Sequence, residues 1–290
     1  MQFLSYLCSM KKNPFVQILT WLAIMAVLTL LAMGIWLIAL GGSQTTAGLK
    51  WLQLLQTMGT FLLPPVLCAA IWSDDHQPFR WLHLDTKPDG FLCLLAIGIM
   101  ICAVPAINLL ADLNSRISFP DSLAALEHQL RAMEDAATVL TERFLQTDSI
   151  GGLIINIGLM ALLPAFAEEL SFRGTLQQVI NNHQSPITNH VAVWLTAIIF
   201  SAIHMQFFGF IPRMLMGAMF GYVFLWSGSL WIPILMHFTN NSLAVIAFYC
   251  FGQNSSADTI GTGATWWLGL ISLVLTSLGL LIFYRRTHKE

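Results

Sequence analysis

The sequence predicts an all-α fold: a polytopic bundle of about eight transmembrane helices, with one amphipathic interfacial helix before the fourth. Three observations predict it. Hydrophobic residues make up 56% of the 290-residue chain and charged residues only 10%, where a soluble domain carries about 25% charged residues. The mean hydropathy is +0.70. Segment after segment reaches the ~20 apolar residues that a helix needs to cross a hydrocarbon core.

The candidate spans lie at 15–40, 52–72, 91–110, 150–180, 191–205, 211–227, 229–251 and 265–284. Ahead of the first, Lys11 and Lys12 follow a mildly apolar start. The run from Phe15 to Leu40 exceeds the roughly 7–15 residues of a signal-peptide core, so it reads as a retained span. The fifth and sixth spans are short and are expected to be tilted, broken or shielded by protein. In the fourth, Pro164 removes a backbone donor and is expected to bend the helix and expose Glu168.

The loop from Ala111 to Ser149 contains the amphipathic helix. Pro120 and Asp121 mark its entry. Leu123, Leu126, Leu130, Met133, Leu140 and Phe144 recur at helical spacing or its multiples, with Glu127, Arg131, Glu134, Asp135, Glu142 and Arg143 interleaved. Glu127 and Arg131, four apart in the favourable order, are expected to pair. Such a helix suits the membrane interface.

Placing both termini on the cytoplasmic side gathers Lys11, Lys12, Arg80, Lys87, Arg285, Arg286 and Lys289 there. It leaves Lys50, Arg116, Arg131, Arg143 and Arg213 on the opposite side. The expected location is therefore an integral one, in a bacterial inner (plasma) membrane. The net charge of −2 gives no basic footprint for nucleic acid. The five cysteines, Cys8, Cys68, Cys93, Cys102 and Cys250, form no CxxC pair and read as small buried hydrophobes. Gly217 and Gly221 make a GxxxG suited to close helix packing. Trp194, Trp226, Trp231, Trp266 and Trp267 fall near span ends, where they anchor at the interfaces.

Ionisable groups inside a bilayer cost about 2.5–3.5 kcal/mol each, so they persist where they pair, line a cavity or do chemistry. Here they cluster in the second half of the chain. Glu168, Glu169 and Arg173 follow an apolar stretch; Glu169 and Arg173 share a helix face and can pair, which leaves Glu168 without a local partner. Phe200 and His204 share a face at the end of the fifth span. His237 and Asn241 share one in the middle of the seventh. At 1.5 Å of rise per residue, Glu168 and His204 lie roughly 20 Å deep, Asn241 roughly 19 Å and His237 roughly 13 Å. One layer can therefore hold all four.

A carboxylate, two histidines and an amide suit hydrolysis. Glu168 can take a proton from water as general base, and His204 can share that water. His237 and Asn241 can donate hydrogen bonds to an oxyanion. The chain has no GxSxG and no HExxH. A zinc ion remains possible, with Glu168, His204 and His237 as three ligands and water as the fourth.

Three motifs in order, EExxxR at Glu168-Glu169 to Arg173, FxxxH at Phe200 to His204 and HxxxN at His237 to Asn241, resemble the signature of the CAAX protease and bacteriocin-processing (CPBP, or Abi) family. Gly174 after the arginine also matches, and the resemblance covers residues 150–250. It implies a polytopic α-helical intramembrane endopeptidase like the type II CAAX prenyl proteases. It also implies catalytic roles for Glu168, His204, His237 and Asn241, and structural ones for Glu169 and Arg173, with Phe200 in support. No cofactor is required by this reading. The partners are a peptide or protein substrate in or at the membrane and the lipid bilayer. The expected organisation is an N-terminal membrane region over 1–149, a catalytic core over 150–251, and a final span and tail over 252–290. The alternative is a non-catalytic peptide-binding or bacteriocin-immunity membrane protein.

Overall fold

Helix after helix begins where a side chain satisfies the first free backbone N–H groups. The computed structural model describes residues 13–73, 76–181, 185–252 and 259–288. Asn13 accepts from the N–H groups of Phe15 and Val16 and opens α1, Pro14–Ala39. Thr45 accepts from Gly48 N–H and opens α2, Thr46–Trp72. Asp89 caps α3, Gly90–Ser115. The amphipathic helix α4 is Ala124–Leu145. Ser149 caps α5, Ile150–Ile180. A reciprocal capping box of Ser185 and Thr188 opens α6, Pro186–Ala202. Then follow α7, Phe210–Ser227, α8, Trp231–Phe251, and α9, Trp266–Thr287.

Among the described residues, seven helices are long and apolar enough to cross a membrane. α6 is the eighth apolar helix and has 17 residues; at 1.5 Å per residue it covers about 25 Å, short of a full hydrocarbon core of ~30 Å. The molecule is an integral, polytopic, all-α membrane protein. Its outer face is apolar: Leu30 is 72% and Ile38 88% exposed on α1, as befits a surface solvated by lipid. Cys68, Cys93, Cys102 and Cys250 are free thiols. Cys8, Lys11, Lys12 and Lys289 lie outside the described residues.

Proline shapes the helices around the polar layer. α2 widens to a π-helix over Met58–Leu62 just before Pro64 and Pro65, and α5 does so over Ile157–Leu162 just before Pro164. A ring that offers no N–H and crowds the preceding turn favours such a wide turn. The bend expected at Pro164 thus takes the form of a shift in helical register. A second π segment, Phe172–Gln177, follows in α5. The Phe61 carbonyl, which Pro65 cannot serve, accepts the Ser171 hydroxyl at 2.8 Å. Proline in one span is thereby compensated by a side chain of its neighbour, as a lipid medium requires.

The GxxxG of α7 packs within the chain, against α6. A Cβ on Gly217 would meet Phe200 at 3.2 Å and the Ala197 Cα at 3.3 Å; one on Gly221 would meet Gln177 Oε1 at 2.8 Å and Val193 at 3.0 Å. The bare glycine backbone also leaves both carbonyls open to polar side chains. Gly217 O accepts from Arg173, and Gly221 O accepts from Gln177.

α4 is amphipathic in the inverse sense of a soluble helix. Its apolar residues Leu126, Met133 and Leu140 stay exposed, while its polar face grips the protein. Glu127 pairs with Arg131 at 2.8 Å, as the spacing predicts. Glu127 also accepts Phe119 N–H, and Glu134 accepts Phe208 N–H. Arg131 lies 3.8 Å over the Phe208 ring. The Phe119 N–H and the Arg131 guanidinium hold the Glu127 carboxyl below the usual carboxylate range.

Two outcomes are expected. Gly221→Val forces a branched side chain against Gln177 and Val193 and should destabilise the α6–α7 pair by about 1–3 kcal/mol, read as a lower melting temperature in detergent. A carboxylate with a depressed folded pKa adds stability above its unfolded pKa of about 4.3, lost as pH falls through the folded value. Amide exchange over residues 117–131, corrected for intrinsic rate, should therefore rise below about pH 4 in the parent; in Glu127→Gln that acid-induced step should be absent.

Candidate active site

The site grows from the α-helical stretch Leu163–Ser171 of α5, held between its two π segments. π-turns recur at functional sites because they rotate the following side chains out of helical register. Glu169 and Arg173 form the expected internal pair, Oε1 to Nη1 at 2.8 Å, with both side chains fully buried. Burying two charges is costly unless the geometry is good and further hydrogen bonds are made. Arg173 meets that condition at its terminal nitrogens, while its Nε and the Glu169 Oε2 have no hydrogen-bond partner. Its Nη2 donates to Gly217 O at 2.8 Å, and its guanidinium lies 4.8 Å over the Phe200 ring and 5.4 Å over Phe220.

The same Glu169 Oε1 accepts from His237 Nδ1 of α8 at 2.9 Å. An ionised carboxylate only accepts, so His237 must carry a proton on Nδ1. Its Nε2 then faces Glu168 Oε2 at 3.9 Å. The imidazole stacks on Phe220 at 5.3 Å and meets the edge of Phe200 at 6.0 Å. Glu169 is thus more than a partner for Arg173: it fixes the tautomer and direction of His237. Glu168 keeps 14% of its side chain accessible, against 0% for Glu169.

His204 sits in the turn just beyond α6. Its Nδ1 donates to Phe200 O at 2.8 Å, and its ring meets the Phe200 ring edge-on at 5.1 Å. A carbonyl also only accepts, so the proton is on Nδ1 and the neutral ring presents Nε2 as an acceptor. Phe200 touches both histidines and Arg173, and so organises the centre of the site. Asn241 lies one turn beyond His237 on α8; its Oδ1 accepts from Asn240 at 3.2 Å, leaving the Asn241 NH2 free of that bond.

The structure therefore brings Glu168, Glu169, Arg173, Phe200 and His237 into one cluster, with His204 against the Phe200 ring. Among the described residues no hydrogen bond or ion pair joins His204 directly to Glu168. The depth arithmetic set His237 shallower than Glu168 because it took the spans as parallel and level; the two side chains face each other. Arg213, at the start of the expected span 211–227, is in the first turn of α7, where Glu134, Glu168 and His204 lie within its field. The sequence contained a signal for it, a cation nine residues after His204 inside an apolar run, outside the three polar motifs.

Among the described residues, no group of three His, Cys, Asp or Glu side chains is placed to hold a metal ion. Glu168, His204 and His237 do not form such a group; with Nδ1 of each histidine bonded to a protein acceptor, Nε2 is the nitrogen that each presents to the site. A carboxylate and an imidazole acceptor can instead hold and polarise a water molecule, and an amide N–H can meet an oxyanion.

Comparisons with known proteins agree on the second half of the chain. The family model described as type II CAAX prenyl endopeptidase Rce1-like matches residues 150–243, the segment that holds all three polar motifs. The uncharacterized protein YpbD of Bacillus subtilis (strain 168) is 33% identical over 89 residues, which are 29% of this chain and 41% of that protein. The chain thus covers less than half the length of that relative. No solved structure matches. The segment 150–243, which carries Glu168, His204 and His237, is thus similar to the type II CAAX prenyl endopeptidase Rce1-like family.

Proposed function

We propose that the protein is an intramembrane endopeptidase that hydrolyses a peptide bond of a membrane-associated or lipidated substrate. The observation that carries this reading is the pair of adjacent glutamates with opposite environments. Glu169 is fully buried with Oε1 engaged by both Arg173 and His237, while Glu168 keeps exposed surface and faces His237 Nε2 at 3.9 Å. A membrane protein has little reason to keep the second carboxylate there unless it does chemistry.

In this mechanism Glu168 takes the proton of a water whose other hydrogen bond goes to His204 Nε2. The water oxygen attacks the scissile carbonyl carbon, and the C=O bond becomes a tetrahedral oxyanion. The Asn241 amide donates to that oxyanion, and so does His237 from Nε2 when its ring carries a second proton between the two glutamates. Collapse breaks the C–N bond, and Glu168 returns its proton to the leaving amine. Glu169 acts on His237 only, as a positioning residue. The site operates in the plasma membrane of a bacterium, with both termini on the cytoplasmic side.

The test uses the purified protein in detergent with a fluorogenic library of prenylated and unprenylated peptides. Glu168→Ala should lower kcat by about 10²–10⁴-fold, the usual contribution of a general base, without loss of the folded, monodisperse state. Cleavage that persists in this variant refutes the mechanism, and a parent chain that cleaves nothing in the library moves the reading to a peptide-binding or immunity factor. A zinc chelator should leave the rate unchanged; loss restored by zinc would make Glu168, His204 and His237 ligands. Glu169→Gln should lower kcat about 10–100-fold with KM unchanged, as for other groups that orient a catalytic side chain. Because that substitution releases His237, the pH profile of kcat should shift as well.

A further inference from the structure

Arg213 occupies an unusual position for a cation. It lies in the first turn of α7, just after the turn that carries His204, and inside a segment apolar enough to span a membrane. Its Nη2 donates to the Gln206 carboxamide. Its Nη1 is buried and has no hydrogen-bond partner. Glu134 from α4, Glu168 from α5 and His204 are within its electrostatic reach, yet among the described residues none of them makes an ion pair with it. Arg173, the fully buried guanidinium nearby, lacks a partner only at Nε: Glu169 and Gly217 O take both of its terminal nitrogens.

A buried N–H without an acceptor costs free energy in an apolar medium, and a guanidinium is the side chain best shaped to take a planar anion through two parallel bonds. A Cβ on Gly209 would stand 3.2 Å from Arg213 Nη2 and 3.5 Å from Glu134 Oε1, so the bare glycine lets the guanidinium lie close to α4. The oxyanion donors proposed above, His237 and Asn241, come from α8. Arg213 lies within electrostatic reach of Glu168 and His204, the two groups proposed to hold the water.

We infer that Arg213 is a specificity-determining residue that binds a carboxylate of the peptide substrate, either its chain terminus or an acidic side chain close to it. This rests on the peptidase reading for the identity of the ligand as a peptide, and the test separates the two. It uses the full chain with Glu168→Gln, which by that reading binds without turnover, in detergent micelles. The probe is a fluorescent farnesyl-cysteine peptide with three residues after the cysteine, in three forms: a free C-terminal carboxylate, a C-terminal amide, and an amide with glutamate as the last residue. Binding is read by fluorescence anisotropy.

The free acid should bind about tenfold or more tighter than the plain amide, the gain typical of a charge-assisted bidentate contact. Recovery of that gain by the glutamate amide would assign an acidic side chain as a sufficient source. Without recovery, the chain terminus is the ligand. In either case Arg213→Gln on the same background should erase the difference, and Arg213→Lys should narrow it. Equal affinity for acid and amide, binding of neither, or a gap that survives Arg213→Gln overturns the inference. Gel filtration and thermal melting establish that Arg213→Gln is folded; if it is not, the lysine variant decides, and an undiminished gap there overturns the inference. Turnover by the parent chain is measured separately. A chain that binds the acid through Arg213 but never cleaves it leaves this inference standing and sinks the peptidase reading.

Discussion

The Glu169 carboxylate is the joint on which the molecule's interior is built. One oxygen, fully buried, accepts from Arg173 on its own helix and from His237 on α8. Either contact alone would leave a charge or a tautomer undefined in a medium that tolerates neither. Together they tie α5 to α8. Through Arg173, whose other hydrogen bond goes to Gly217 O, they also tie α5 to α7. Gly217 must in turn lack a side chain, because Phe200 and Ala197 of α6 press on the same point. Four helices thus meet around one ion pair, and Phe200 is the ring that touches Arg173, His204 and His237.

Lipid explains why this joint is so elaborate. A membrane bundle gains little from hydrophobic association between helices, since lipid tails are as apolar as the side chains they would replace. Its specificity must come from close packing and from polar groups that have nowhere else to go. The π segments of α2 and α5 belong to the same economy of hydrogen bonds. Proline removes donors from both helices, the turns widen before it, and Ser171 supplies the Phe61 carbonyl with the bond its own helix withholds. The register shift also sets the direction in which Glu168 and Glu169 leave α5.

The amphipathic helix α4 belongs to the site as well as to the surface. Its apolar residues face outward, while Glu134 and Arg131 hold Phe208, in the segment that links His204 to Arg213. Asn114 at the end of α3 bonds the same segment twice, to Phe207 O and to Ile211 N–H. The stretch carrying His204 is therefore positioned by residues far from it in the chain, and by a helix whose apolar face is exposed.

Length and apolarity alone determined the bundle, because a hydrocarbon core of fixed thickness admits few other structures; the span positions, the Glu127–Arg131 and Glu169–Arg173 pairs and the packing role of Gly217 and Gly221 all follow from local spacing. Local spacing also singled out Glu168, His204, His237 and Asn241, since each is an expensive group in an apolar run. It could not show that His237 turns its Nδ1 to Glu169, because that bond joins residues on different helices and depends on how far α5 has been rotated by its π-turns. Nor could it show that Arg213, at the start of the sixth span, keeps a buried Nη1 without an acceptor, because that too depends on contacts between elements distant in the chain. Sequence chose the residues that pay to be buried, and tertiary structure decided which of them share a proton, which are saturated, and which keep a free donor or acceptor for something else.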